Sequence, residues 1–124
     1  MAAGPVDDAV LAALYAGART FAYVPLAEGY GFPPVEAMRW GIPVVASTAV
    51  PSVDPGPAGP APAVRVDPAS EEAIADPLVA ASVDGAVRAR LGEAGTAWAL
   101  PRTWRRAARA HADLWAALAK GRAR

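Results

Sequence analysis

The chain has 124 residues, twelve basic and twelve acidic side chains, and a formal net charge of zero; one small domain is its limit, and no global charge favours nucleic acid as a partner. It has no cysteine, which excludes disulfides, a thiol nucleophile and a cysteine metal site, and the single histidine, His111, cannot build a histidine metal site. No run of about 18 uncharged apolar residues would span a bilayer, and no basic region followed by an apolar core marks a signal peptide, so the expected location is cytoplasmic.

Residues 1–5 give no structural signal. Asp7 or Asp8 caps a helix to about Ala16, with Val10, Leu11, Leu14 and Tyr15 on one face, and Gly17 ends it. Residues 19–24 read as a strand, Phe21 and Tyr23 on one side, Ala22 and Val24 on the other. A helix follows over residues 33–40, closed by Gly41. Pro33 and Pro34 fit only its first positions, because neither donates an amide hydrogen. Residues 43–47 are apolar throughout, as in a parallel strand covered by helices on both faces. The loop 48–62 holds Pro51, Pro55, Pro57, Pro60 and Pro62, a density that no helix or central strand tolerates. Residues 63–66 form a third short strand.

Ser70 then caps a helix from Glu71 towards Ser82, which Pro77 should kink or split. Asp84 caps the next, with Val87, Leu91 and Ala94 inward. Thr103 caps the last, whose inward stripe is read as Trp104, Ala108, His111, Trp115 and Leu118. From Arg102 onward seven basic residues (Arg102, Arg105, Arg106, Arg109, Lys120, Arg122, Arg124) stand against Asp113 alone. The plain reading is a solvated helix face and a basic tail; the sharper one is peripheral contact with anionic lipid.

The order of elements predicts an α/β fold, an open parallel sheet with flanking helices. Its organising stretch is Glu28-Gly29-Tyr30-Gly31-Phe32-Pro33-Pro34-Val35-Glu36-Ala37-Met38, a strand–loop–helix turn with one carboxylate on the loop and one expected in the first helical turn. Two glycines let backbone approach a ligand closely, and a helix start suits phosphate. A carboxylate beside phosphate is better suited to accepting hydroxyl groups. Hydroxyls and phosphates together describe a nucleotide sugar.

The Glu28-to-Glu36 spacing, the Gly-Tyr-Gly-Phe-Pro run and the Glu-Ala-Met helix resemble the signature of family 4 retaining glycosyltransferases, two-domain enzymes of the GT-B fold. The likeness continues through Gly41-Ile42-Pro43-Val44-Val45-Ala46-Ser47, Val66-Asp67-Pro68 and Thr103-Trp104, in the family's order. It implies a Rossmann-like donor-binding domain of about six parallel strands, of which this chain holds the second half. On that reading residues 1–101 are its α/β core and residues 102–124 a helix and basic tail. The missing half would carry the basic pair that neutralises the diphosphate, and the acceptor domain would lie elsewhere.

The resemblance also implies residue roles. Glu28 contacts a donor-sugar hydroxyl near the reacting carbon, the catalytic position. Glu36 accepts hydrogen bonds from the ribose hydroxyls. The turn Gly29, Tyr30, Gly31 and Phe32 binds the donor, with Gly31 and Phe32 offering amides to sugar hydroxyls or diphosphate, and Val35 and Glu36 supplying the remaining free amides. The donor would be a UDP- or GDP-sugar, with hexosyl or mannosyl transfer, retained configuration and no required metal or other cofactor. Two departures stand out: Val24-Pro25 where the family often has Pro-Ser, and Pro51-Ser52 where many members have Pro-Glu.

Two classes of function remain open. One is a glycosyltransferase, present as a fragment inactive without its missing N-terminal half. The other is a non-catalytic remnant or split-enzyme subunit that binds a partner half-domain. Sugar phosphorylases and epimerases of the same fold are a weaker third. An NAD-binding unit is disfavoured, since Gly29-x-Gly31 lacks a third glycine and an acidic residue at the right distance.

Overall fold

A computed structural model describes residues 4–56 and 59–122. Residues 1–3, Pro57 of the proline-rich loop and the tail residue Arg124 lie outside the described residues. The order is α1 (Asp8–Gly17), β1 (Phe21–Tyr23), α2 (Phe32–Arg39), β2 (Val44–Ser47), a 3-10 turn (Pro51–Val53), β3 (Val64–Val66), α3 (Glu71–Val83), α4 (Gly85–Ala99) and α5 (Trp104–Arg122). The strands form one parallel sheet in the order β1-β2-β3, Phe21 level with Val44 and Val45 level with Val64. This is an α/β fold with a partial Rossmann-like sheet.

All four residues of β2 are buried. Side chains alternate across a strand, so both faces of β2 are covered. On one face Val44 and Ala46 join Val35, Ala37 and Met38 of α2 in the core, with Val50 and Val53 of the proline-rich loop. That loop therefore contributes core packing and a 3-10 turn where sequence suggested only an irregular surface segment. β1 is less covered: Phe21 and Tyr23 are half-buried and Ala22 is exposed.

The predicted caps are present. Asp7 accepts from the Val10 amide at 2.9 Å, Ser70 from Ala73 at 3.2 Å, Asp84 from Ala86 at 2.8 Å, and Thr103 from Arg106 at 3.2 Å. Pro77 does not split α3, which runs through it as one helix of 13 residues. α2 and α4 pack closely because Gly92 has no side chain there; a Cβ would fall 2.5 Å from the Gly41 carbonyl oxygen. Thr96 of α4 donates its hydroxyl to the Met38 carbonyl at 3.1 Å, satisfying an acceptor in the last turn of α2.

The last helix departs most from expectation. Trp104, Ala108, His111, Trp115 and Leu118 were read as an inward stripe, yet all five are exposed, Trp104 at 79% and Trp115 at 66%. Helical periodicity reports that a face is apolar; it does not say that this chain supplies the surface to cover it.

Candidate functional site

The loop that leaves the carboxyl end of β1 and enters α2 is pinned from two directions. Ser47, at the carboxyl end of β2, donates its hydroxyl to the Pro25 carbonyl at 2.7 Å. Ser52, in the 3-10 turn, donates its hydroxyl to the Gly31 carbonyl at 2.6 Å and its amide to the Tyr30 carbonyl at 2.9 Å. The carbonyl of Ser52 accepts from Trp98 Nε1 at 2.9 Å, and the Arg102 guanidinium lies 3.5 Å over the Trp98 ring. Ser52 is 3% exposed. Sequence reasoning noted it only as a departure after the second strand and missed its role as the clamp of the loop. Its partners Gly31 and Trp98 lie 21 and 46 residues away, beyond the reach of any local signal.

Gly31 sits at the N-cap of α2 with φ +89°. A Cβ there would meet Val50 Cγ1 at 2.6 Å and Ser52 Oγ at 3.1 Å, whereas nothing lies within 4 Å of a Cβ built on Gly29. The two glycines therefore differ. Gly31 is demanded by the turn; only Gly29 leaves open space. Gly31→Ala is expected to lose about 1–2 kcal/mol from left-handed backbone and about 1–3 kcal/mol from overpacking. Gly29→Ala should leave stability unchanged within about 0.5 kcal/mol. Urea titration of the two variants checks the contrast.

The left-handed residue also starts the helix earlier than sequence implied. α2 begins at Phe32, so Pro33 and Pro34 are its second and third residues, and no acid lies in its first turn. Glu36 is one residue further in than expected, the fifth of the helix, and its amide belongs to the hydrogen-bonded ladder. The helix start leaves the amides of Gly31 and Phe32 without an intrahelical partner. Val35 is buried in the core, so only its backbone can serve a ligand.

Both glutamates are held by tyrosines of one aromatic row. Trp40 and Tyr15 stack at 6.4 Å, Tyr15 and Phe21 meet at 5.9 Å, and Phe21 and Tyr23 stack at 6.4 Å. Tyr15 donates its hydroxyl to Glu36 Oε2 at 3.2 Å. Burial, then the Glu36 charge and this bond, push the Tyr15 hydroxyl up to about 12. Tyr23 donates to Glu28 Oε2, and the Gly29 amide donates to Glu28 Oε1 at 2.8 Å. Each oxygen keeps acceptor capacity for a second donor. On the outer side of the loop the Tyr30 and Phe32 rings meet at 5.0 Å, and Phe32 meets Trp104 at 5.7 Å.

The Tyr23 hydrogen bond, followed by the backbone amide of Gly29, lowers Glu28 below the ordinary carboxylate range. Glu28 is then an anion through the neutral range, able to accept hydrogen bonds and unable to donate. The linked stability is present above the unfolded-state value of about 4.3 and is lost as pH falls through the lower folded value. Tyr23→Phe should therefore raise the Glu28 pKa towards the ordinary value. Carboxyl NMR titration reads this directly; an unmoved midpoint would contradict it.

A cavity of about 740 Å³ is elsewhere: its lining includes Arg19 and Pro43, which precede β1 and β2, and Arg88 and Glu93 of α4. The pinned loop lies at the opposite, carboxyl end of the strands, where open α/β sheets bind ligands.

Comparison with known proteins adds an independent finding. The family described as glycosyl transferases group 1 matches residues 2–102. O-antigen chain mannosyltransferase B of Escherichia coli is 52% identical over 52 residues, which make up 40% of this chain and 14% of that protein. The match thus spans about a seventh of the length of that curated relative. No solved structure gives a significant match.

Proposed function

The chain belongs to the group 1 glycosyl transferases, and on that premise we propose that residues 1–101 form the donor-binding half-domain of a retaining glycosyltransferase of the GT-B fold. The donor is a nucleotide diphosphate sugar, a UDP- or GDP-hexose, and the mannosyltransferase named above favours mannosyl transfer. The observation that carries the proposal is the Glu28 carboxylate, kept ionised beside Tyr23 and Gly29 on a loop that Ser47 and Ser52 fix.

In this reading the sugar sits over loop 28–32. Glu28 accepts a hydrogen bond from a sugar hydroxyl near the reacting carbon and orients the ring. Glu36 accepts from the ribose hydroxyls with the lone pairs that Tyr15 leaves unused. The amides of Gly31 and Phe32, at the positive end of α2, meet sugar hydroxyls or the diphosphate. Charge on the leaving diphosphate is balanced by helix starts and by basic side chains from the rest of the enzyme, with no metal required. We assign the chemistry to the cytoplasm, where such donors are made. The missing N-terminal half supplies the remaining donor contacts and the acceptor site.

A second reading, a non-catalytic subunit that binds a partner half-domain, is favoured by the exposed apolar face of α5 and the exposed Ala22 of β1. A transfer assay on the chain together with the polypeptide encoded immediately upstream, joined or separate, tests the enzyme reading. Transfer from a GDP- or UDP-sugar with retained anomeric configuration, read by NMR of the product, is expected. An inverted product would overturn the retaining assignment, and no transfer by the completed protein would favour the second reading.

A further inference from the structure

The cavity of about 740 Å³ lies at the amino end of the strands, and the donor loop makes no use of it. Two guanidiniums meet on one carbonyl at its wall. Arg19 donates to the Ser82 carbonyl twice, from Nε at 3.1 Å and from Nη2 at 2.8 Å, and Arg88 of α4 reaches the same oxygen from Nη1 at 3.4 Å. Ser82 lies in the last turn of α3, so one cation there caps a helix end and complements its dipole. Capping does not explain the second. A carbonyl oxygen has two lone pairs, and Arg19 already engages both, which makes Arg88 a third donor on a filled acceptor. Among the described residues neither guanidinium is paired with a carboxylate. Asp84, two residues beyond Ser82, is turned to the amides of Ala86 and Val87 at 2.8 and 3.1 Å. The half-buried Arg88 therefore carries a cation with no partner of its own.

We propose that this cavity is a second ligand site, independent of the donor loop, and that it takes a phosphorylated sugar. The phosphate bridges Arg19 and Arg88, which keep most of their N–H donors unused. Phosphate oxygens match the planar fork of a guanidinium, and a dianion between two cations removes their mutual repulsion. The rest of the lining decides what the phosphate is attached to. It is mainly apolar, with Trp40 52% and Leu100 58% exposed, and its one acid is Glu93. Apolar walls with a few convergent polar groups, at this volume, are the make-up of a small-molecule site. A carboxylate would repel a phosphate but accepts hydroxyl groups, so Glu93 serves the sugar hydroxyls and Trp40 the ring. A bare phosphate would leave both without a role.

Calorimetry on the 124-residue chain tests the site, with glucose 1-phosphate, inorganic phosphate and glucose as probes. Single-site binding of glucose 1-phosphate is expected, at least about tenfold tighter than that of phosphate, with glucose weaker than either. Arg88→Gln should weaken it by about 10–150-fold, the range for a hydrogen bond to a charged group, and Arg19→Gln by a similar factor. Because Arg19 also caps α3, a further variant leaves the cap alone. Ala89→Glu places a negative charge on an exposed residue of the cavity wall, keeps both arginines, and should abolish binding while the thermal melting of the chain stays unchanged. High salt should weaken binding as well. If neither phosphate compound bound, or if Arg88→Gln and Ala89→Glu left affinity as it was, the site would be overturned. Equal affinity for phosphate and for its sugar ester would overturn the assignment of the sugar.

Discussion

Glu28→Ala, made in an enzyme that contains this segment, is expected to lower turnover by about 10–150-fold, the equivalent of about 1.5–3 kcal/mol of hydrogen bonding to a charged acceptor. Affinity for the bare nucleotide should hardly change, because the proposed contact is with the sugar. Glu36→Ala should do the reverse, weakening nucleotide binding by about 1.5–3 kcal/mol through the lost ribose contact. Calorimetry with the nucleotide alone separates the two. Equal losses of nucleotide affinity would sink the division of roles. A structural competitor must be removed as well, since Glu36 also holds the Tyr15 hydroxyl of α1. Tyr15→Phe breaks that bond and leaves the carboxylate. If Tyr15→Phe weakened nucleotide binding as much as Glu36→Ala, Glu36 would be acting through α1 and the ribose contact would fall.

The parts of this molecule legible in its sequence are those set by local chemistry. The three strands appear where apolar runs predicted them, trimmed at their amino ends and, for β1, by one residue at the carboxyl end: 19–24 shortens to Phe21–Tyr23, 43–47 to Val44–Ser47, and 63–66 to Val64–Val66. Pro43 illustrates why. It has no amide hydrogen for the ladder, yet its carbonyl accepts from the Phe21 amide at 2.9 Å, so it borders the sheet as an acceptor only. Caps were legible for the same reason, each being a side chain three or fewer residues from the amide it satisfies.

What escaped the sequence depends on contacts far along the chain or on backbone that only one residue type allows. Ser52 acts on a loop 21 residues away. The positive φ of Gly31 moves the start of α2 to Phe32 and takes Glu36 out of the first turn. The burial of α5 failed because amphipathic spacing is common to helices that pack on a core, on another chain and on a bilayer. Of the candidate site, the neighbourhood was legible: Glu28, Gly29, Tyr30 and Gly31 lie on one loop after the carboxyl end of β1, and Phe32 opens α2. The aromatic row that holds the two glutamates through Tyr15 and Tyr23 had no signature, since each tyrosine reads first as core.

The 124-residue chain by itself is expected to transfer no sugar and to self-associate. Among the described residues β1 has a strand neighbour on one side only, and Ala22 in its middle is exposed. An unpaired strand edge presents amides and carbonyls that recruit other chains, and the half-buried Phe21 and Tyr23 beside it add apolar surface. Transfer is expected to fail for a separate reason: the diphosphate of the proposed donor would need cations that the loop does not provide. Arg102 is committed to Trp98, and Arg65 to Asp54 at 3.2 Å and the Thr48 carbonyl at 2.9 Å. Light scattering should give a mass above that of one chain, and Ala22→Lys, a charge placed on the open edge, should bring it down. A stable monomer that turned over a nucleotide sugar would defeat the proposal that the chain is incomplete. Donor neutralisation would then have to come from Arg39 or the cluster of Arg105, Arg106 and Arg109, and alanine substitutions there would show which.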